Sequence, residues 1–287
     1  MPPIVVIARL TIQEAARRRL LLALIVLTLV VVGFSAWGFH KITSVTRSDG
    51  SPLPSVEVAL ITSQLLIVVT FMYSGVLALS AAVVAGPLIS SEVESGLLLS
   101  MLARPVRRSE VVIGKWLGLA VLVGIYAAGS AFLELAAVDW ATGYLPPHPV
   151  QLVLYVGADG LVLLSLGLAL STRLSGITGG VIALVAWLMG WIGGVVGNVG
   201  TGLQNQAVEN VGVISHIVLP SDGLWRGAIY AMEPDTLLAT LRQAGTVGRA
   251  NPFSAVDPPP VAYLAWVVVW FALMLALAIW SFRTREI

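Results

Sequence analysis

Six long apolar runs constrain this 287-residue chain more than any other feature of its sequence. They cover roughly residues 20–39, 58–84, 111–138, 150–170, 177–196 and 261–282. Each holds about 20 or more mostly apolar residues, the length that a helix needs to cross a bilayer. Charged residues make up only 11% of the chain, against about 25% in soluble domains. The sequence therefore predicts an all-α, polytopic membrane protein with six transmembrane helices, because alternating strands of a β-barrel do not occur.

Composition also excludes several kinds of site. The chain has no cysteine, so it forms neither disulfides nor thiolate metal sites. Its three histidines, His40, His148 and His216, are scattered without metal-ligand spacing. Neither a phosphate-binding GxxxxGK[ST] loop nor a Ser/His/Asp arrangement is evident. We therefore expect no enzymatic activity, metal or cofactor on this chain, and the net charge of +1 gives no reason to expect nucleic acid as a partner.

The distribution of lysine and arginine sets the expected orientation. If the N-terminus lies inside, eleven of the 16 Lys and Arg residues fall on cytoplasmic segments and five on outside segments. The positive-inside rule then places both termini and the segment 88–108 in the cytoplasm. We expect a single transmembrane domain, residues 1–287, in the inner (cytoplasmic) membrane, with membrane lipid around it.

The first 19 residues are too charged to span a bilayer. Val5, Ala8, Ile12 and Ala15 share one helical face, a pattern that suits a helix lying in the membrane interface. The competing interpretation is a signal peptide, with a basic region at 17–19 and an apolar core after it. The apolar run continues through Phe39 with no small-residue cleavage site, which favours an interfacial helix followed by a span.

Between the fifth and sixth runs lies a long segment, residues 197–260, which we expect on the extracytoplasmic side. Its pattern predicts short helices over 223–232 and 236–246, followed by a Pro-rich stretch. We expect a small helical cap rather than a separate domain. Just before it, GxxxG pairs at Gly190/Gly194 and Gly193/Gly197 predict close helix packing, within one bundle or across a dimer.

Two acids fall inside apolar runs, where ionisable side chains are functional candidates by default. Glu134 lies in the third run and Asp159 in the fourth. Exposure to lipid is costly for either, so we expect both to face the bundle interior, a partner or water. One interpretation is a polar lining of a substrate path. The other is structural, with Glu134 reaching the interface and Asp159 bonded to neighbouring hydroxyls.

The segment 88–108 stands out among the predicted cytoplasmic parts. Val93, Leu97 and Met101 recur at a spacing of four, so a helix would place them on one face, and Pro105 cannot continue that helix. The pattern predicts a short surface helix with a spare apolar face. It is either a docking element or an ordinary solvated helix between two spans.

The stretch ISSEVESGLLLSMLARPVRRSEVVIGKWLG, residues 89–118, resembles the permease subunit of an ABC type-2 exporter, closest to the NosY-like branch. The matching residues are Glu92, Glu94, Ser95, Gly96, Pro105, Arg108, Gly114 and Lys115. Leu97 departs from the Thr or Ser that the branch has more often. The outer stretch LPSDGLWRGAIY, residues 219–230, is also similar to a motif of that branch, with Leu219 in place of Asn.

This resemblance implies an ATP-driven transporter whose energy source is a separate subunit. The permease would be a homodimer bound to two copies of an ABC ATPase, which would carry the ATP and magnesium. A periplasmic or extracellular accessory protein is a further conceivable partner. The helix 88–102 would be the coupling helix. The implied ATPase-coupling residues are Glu92, Val93, Glu94, Gly96, Leu97, Leu98, Met101 and Arg104.

Two other classes of function stay open on the sequence. A proton-coupled secondary transporter would use Glu134 and Asp159 as a relay, although such proteins usually show internal repeats, and no convincing repeat is present here. A non-transporting membrane assembly or immunity factor would need neither polar spans nor a docking helix. A neighbouring gene for an ATPase with a Walker motif would favour the ABC interpretation.

Overall fold

A computed structural model describes residues 2–17, 19–46, 51–96, 107–245 and 250–285, with backbone only for residues 17 and 19–21. The described part is helical, apart from an isolated bridge between Thr46 and Pro52. In chain order its helices are α1 Pro3–Arg17, α2 Arg19–Thr43, α3 Ser55–Ala85, α4 Pro87–Glu94, α5 Arg108–Thr142, α6 Pro149–Ser171, α7 Gly176–Gly202, α8 Gln206–Val218, α9 Ser221–Met232, α10 Asp235–Gln243 and α11 Val261–Arg283.

Six of these helices are long and apolar enough to cross a membrane: α2, α3, α5, α6, α7 and α11. The predicted all-α fold with six membrane-length helices is therefore confirmed. We call the end of the bundle that carries α1, α4 and the C-terminus of α11 the inner end, and the opposite end the outer end. That the inner end faces the cytoplasm stays a prediction.

Helix α1 forms as predicted, but the face that it buries differs from the predicted one. Ile7, Thr11 and Ala15 are buried, whereas Val5 is 51% exposed. The reason lies on α5, where Gly118 has no side chain. A Cβ atom at that position would stand 2.6 Å from the carbonyl oxygen of Ala8. The α1 backbone therefore lies directly on α5, and this contact sets the rotation of α1.

Residues 206–232 of the predicted helical cap turn back into the bundle, while their extracytoplasmic location stays a prediction. Helix α8 runs antiparallel along the outer half of α7, where a Cβ atom on Gly197 would stand 2.6 Å from Gly212 Cα. Its last carbonyl, on Val218, accepts a hydrogen bond of 3.0 Å from the Trp270 indole, which lies well inside α11. Close glycine packing thus carries α8 down to the middle of the bundle.

From that depth the chain returns towards the outer end as α9. The short helices predicted at 223–232 and 236–246 are confirmed as α9 and α10, with shifted bounds. Helix α9 is buried along most of its length, including Trp225 and Ile229. It packs between α3, α6 and α7. The segment 206–232 is therefore part of the bundle core.

Candidate functional site

The segment predicted to couple to a partner begins as a distinct helix at the inner end. Helix α3 ends at Ala85, and α4 begins at Pro87 and ends at Glu94. Gly96 follows with a φ of 71°, a left-handed conformation that is typical of the residue after a helix end. The predicted continuous helix over 88–102 is therefore wrong: α4 stops before Leu97, so Val93 does not share one helix with the residues beyond Gly96.

Glu92 joins α4 to α5 through a buried ion pair. Its Oε1 lies 2.5 Å from the Lys115 ammonium, and the two side chains are 18% and 4% exposed. The same ammonium donates a hydrogen bond of 2.9 Å to the Leu88 carbonyl. Lys115 thus holds both turns of α4. Sequence reasoning noted Lys115 only within the resemblance, since nothing in the pattern links it to a residue 23 positions earlier.

The other predicted coupling residues differ in their surroundings. Val93 is half-buried against the cluster formed by α1, α4, α5 and α6, whereas Glu94 and Gly96 are exposed. Leu97, Leu98, Met101 and Arg104 lie outside the described residues. In the described part of the segment, α4 is therefore fixed to the bundle, whereas residues 94–96 at its end are exposed.

A groove of about 430 Å³ opens beside α4, between the inner halves of α3 and α7. We call it the inner groove. Its walls are mainly apolar, with Leu79 and Val83 on α3 and Val181 and Leu184 on α7, and Glu94 lies at its inner mouth. The groove therefore leads from the exposed end of α4 towards the middle of the bundle.

Glu134 lies inside the bundle between α2, α3 and α5. It is 3% exposed, and its Oε2 accepts hydrogen bonds from the hydroxyls of Ser35 at 2.9 Å and Tyr73 at 3.3 Å. Its Oε1 has no partner among the described residues. The side chain therefore faces the interior of the bundle.

Asp159 lies midway along α6 and faces α3 and α7. It is 2% exposed, its Oδ2 accepts a hydrogen bond of 2.7 Å from the Ser74 hydroxyl, and the Trp187 indole lies beside it. Its Oδ1 has no partner in the described part of the chain. Tyr73 and Ser74 are adjacent on α3, yet they bind Glu134 and Asp159 on different sides of that helix. The structure therefore does not join the two acids in one site.

A third buried acid, which sequence reasoning missed, lies in the first turn of α9. Asp222 Oδ2 accepts a hydrogen bond from Arg226 Nε at 3.1 Å and lies 2.7 Å from His216 Nε2. A Cβ atom on Gly194 would collide with this carboxylate, so α7 passes directly over it. The sequence signals were the spacing of four between Asp222 and Arg226 within the predicted helix, and the place of both residues in the stretch 219–230 that is similar to a motif of the NosY-like branch.

An aromatic cluster lies next to Asp159 towards the outer end. The Phe71 ring on α3 is its hub, with centroids 6.2 Å from Trp187, 5.1 Å from Trp191 and 5.4 Å from Trp225. Phe253 adds an edge contact at 6.1 Å. Of these rings only Trp225 is fully buried, and the others remain half-buried at the side of the bundle between α3 and α7.

A fourth buried acid, Glu233, follows α9 outside the membrane-length helices. It has no exposed surface, and its Oε2 accepts a hydrogen bond of 3.2 Å from the Ala255 amide. Burial raises the pKa of Glu233 to about 7, against the smaller lowering effect of that hydrogen bond. Among the described residues, no group of three or more His, Cys, Asp or Glu side chains could hold a metal ion.

Comparison with known proteins gives one family match. The family model described as "ABC-2 family transporter protein" matches residues 5–287, which is nearly the whole chain. A search of curated proteins finds no matching relative.

Proposed function

The chain belongs to the ABC-2 transporter family, and on that premise we propose that it is the permease subunit of an ATP-driven exporter of the NosY-like branch. Family membership makes it a multi-pass membrane protein of the ABC-2 permease type, for which an ABC ATPase is the general partner. The proposal adds the direction of transport, the branch, the site of coupling and the location in the inner membrane.

The observation that carries the coupling site is the anchored start of the segment 88–108. A buried ion pair gains little net stability over apolar packing, but breaking it is costly, so it fixes the position of what it joins. The Glu92–Lys115 pair fixes α4 against α5, a helix that crosses the whole bundle. A force applied to the segment beyond Gly96 therefore passes to α5 rather than bending a free loop.

In this proposal the coupling residues have separate roles. Glu92 holds the segment in place through its ion pair with Lys115. Val93 packs against the hydrophobic cluster beside α4, and Gly96 provides the left-handed turn after the helix. The docking contacts themselves come from the following residues: Glu94, Leu97, Leu98, Met101 and Arg104. Apolar side chains provide affinity, and Glu94 and Arg104 orient the partner through charges at its rim.

Two permeases and two ATPases form the proposed assembly. ATP and magnesium bind the ATPase, so hydrolysis takes place on that partner and not on this chain. Support for a second permease comes from α7, whose apolar side chains stay exposed beyond the inner groove, as in Val185, Met189 and Ile192. In a monomer this face contacts only lipid, whereas a homodimer covers it with a second copy.

The alternative of a proton relay through Glu134 and Asp159 has less support from the geometry. The two acids bind different sides of α3 and share no hydrogen-bond partner among the described residues. A relay between them would have to pass through the helix. ATP hydrolysis distinguishes a transporter from an assembly or immunity factor. Only in a transporter is the hydrolysis by an ATPase coupled to this chain.

The test is co-purification of the permease with its proposed ABC ATPase partner. We expect Leu97→Asp with Met101→Asp to abolish co-purification while the permease still inserts, because two charges would enter an apolar docking contact. The matched control is Gln13→Asp with Ala16→Asp, which adds two charges to the exposed face of α1 at the same end of the bundle. If the first double variant keeps the ATPase and its coupled hydrolysis, the coupling site is withdrawn.

A further inference from the structure

Trp187 lies just beyond the residues that line the deep part of the inner groove. Leu184 on α7 and Leu79 on α3 line this deep part, and Trp187 lies one helical turn further towards the outer end. The Trp187 ring lies across Gly75, whose missing side chain leaves room for it: a Cβ atom there would stand 3.6 Å from the ring. The tryptophan therefore closes the path between α3 and α7.

Directly behind this tryptophan lies the Asp159 carboxylate. One of its oxygens is bound to Ser74, and the other has no partner among the described residues although the side chain is 2% exposed. A buried carboxylate oxygen without a donor is costly, and in native proteins such an orphan calls for an explanation. A ligand that enters along the groove would meet Trp187 first and this oxygen next.

The balance of charge around the groove favours a cation as that ligand. The neighbouring charge that acts on Asp159 is that of Asp222, another acid. Asp222 itself has Arg226 and His216 as partners, and Lys115 is paired with Glu92. Asp159 thus has no cationic partner in the described part of the bundle. An anionic ligand would be repelled, whereas a cation would supply what the site lacks.

The walls of the site favour a ligand with an apolar body. The deep groove is aliphatic, and beyond it the faces of Phe71, Trp187 and Trp191 remain half-buried. Aromatic faces attract cations, most strongly when both are removed from water, and they also pack against flat apolar groups. A small hydrated ion would gain little from such walls.

We propose that Asp159, Trp187 and Phe71 form a binding site for a hydrophobic organic monocation that enters along the inner groove. Its apolar body packs against the rings, and Trp187 turns aside so that the positive charge meets Asp159 Oδ1. This inference rests on the proposed export function, because it names the chemical class of the cargo. The site lies within one permease chain, so its occupancy does not depend on the ATPase.

The experiment measures binding of tetraphenylphosphonium to the purified full-length permease alone, in detergent micelles, by equilibrium dialysis. Tetraphenylborate, which has the same shape and the opposite charge, is the matched probe, and protein-free micelles give the background partition of both. We expect saturable binding of the cation to the wild type, and binding of the anion no greater than the background.

Two variants locate the site. Asp159→Asn removes the charge and keeps an oxygen for Ser74, so we expect it to weaken tetraphenylphosphonium binding by at least about tenfold. Glu134→Gln changes the other buried acid in the same way and is expected to stay within about twofold of the wild type. Equal binding of the cation by wild type and Asp159→Asn, or equal loss in both variants, would overturn the assignment.

If Asp159→Asn does not fold, binding of tetraphenylphosphonium to the wild type still tests the proposal. Failure of its binding to saturate above the micelle background overturns the proposal, and so does an equal preference for tetraphenylborate. Because no ATPase is present, these outcomes are separate from the test of the proposed function. An ATPase that fails to co-purify argues against coupling, whereas absent cation binding argues only against this cargo class.

Discussion

Two acids in this molecule, half-buried Glu92 at the inner end and buried Asp159 in mid-bundle, have opposite surroundings. Glu92 has a lysine 2.5 Å away, and the pair ties two helices together. Asp159 has a serine hydroxyl, a tryptophan and a free oxygen, but no cation in the described part of the chain. Each carboxylate keeps one oxygen without a partner among the described residues. The difference lies in the charge: that of Glu92 is compensated by Lys115 and holds two helices together, while Asp159 has no cation that the described part of the chain supplies.

The largest effect is expected at Glu92, whose charge is compensated by Lys115. Lys115→Met leaves Glu92 partly buried without its cation, and we expect the free energy of unfolding to fall by about 3 kcal/mol. Adding Glu92→Gln to that variant should recover much of the loss, because the stranded charge is removed. Denaturant unfolding in micelles, followed by tryptophan fluorescence, measures both variants. If the double variant is no more stable than Lys115→Met, the stranded charge is not the cause.

A packing change sharpens the comparison, because α7 and α8 are held together by backbone contact instead of charge. Gly197→Ala places a Cβ atom 2.6 Å from Gly212 Cα, and neither backbone can move easily. We expect a loss of about 2 kcal/mol in the free energy of unfolding. Gly124→Ala, where no atom outside the local helix lies within 4 Å, is the control and should be neutral or slightly stabilising. Equal effects of the two alanines would argue against close α7–α8 packing.

Glu233 is another buried acid that has no cationic partner among the described residues, and it adds a dependence on pH. Its pKa is about 7 in the folded protein against 4.5 for the free side chain, so the native state holds the proton more tightly than the unfolded chain. The stability that this provides is fully present below pH 4.5 and is lost as the pH rises through 7.

We therefore expect the melting temperature of the wild type to fall between pH 5 and pH 8. The fall should be smaller in Glu233→Gln, which cannot ionise there. Thermal unfolding of both proteins across this range measures the difference. A fall that is the same in both would assign the effect to other groups.

The smallest effect is expected at Asp159. Asp159→Asn keeps an acceptor for the Ser74 hydroxyl and removes a charge that has no partner in the described bundle, so we expect the free energy of unfolding to change by less than about 1 kcal/mol. Set against Lys115→Met in the same unfolding assay, this variant measures the contrast directly. A loss as large as that of Lys115→Met would mean that the Asp159 charge is compensated in the folded protein.

The sequence predicts the bundle well and its sites only in part. Apolar length alone identifies the six membrane-length helices, and turn residues locate α9 and α10. Helix α8 is missed because its 13 residues are too short to span and its packing depends on glycines of another helix. The break after Glu94 is missed because a lone glycine in an apolar helical pattern reads as a packing position rather than a helix end.

The pairing of buried acids is beyond sequence reasoning for a similar reason. Glu134 and Asp159 are recognised as candidates by their position in apolar runs. Their partners, however, lie on helices distant in sequence, as with Ser35 for Glu134 and Ser74 for Asp159. Lys115 also lies inside an apolar run, and only the fold shows that its charge is compensated by Glu92. Periodicity identifies a face but not the neighbour that the face meets.

The most direct test of the proposed coupling is to record what lies next to Glu94. The chain has no cysteine, so Glu94→Cys carries a single attachment point for a photoreactive crosslinker at the exposed end of α4. Trp140→Cys, 76% exposed at the outer end, is the control. In membranes that contain both subunits, the account predicts an adduct between position 94 and the ATPase and none from position 140. Adducts of position 94 with lipid alone would contradict it.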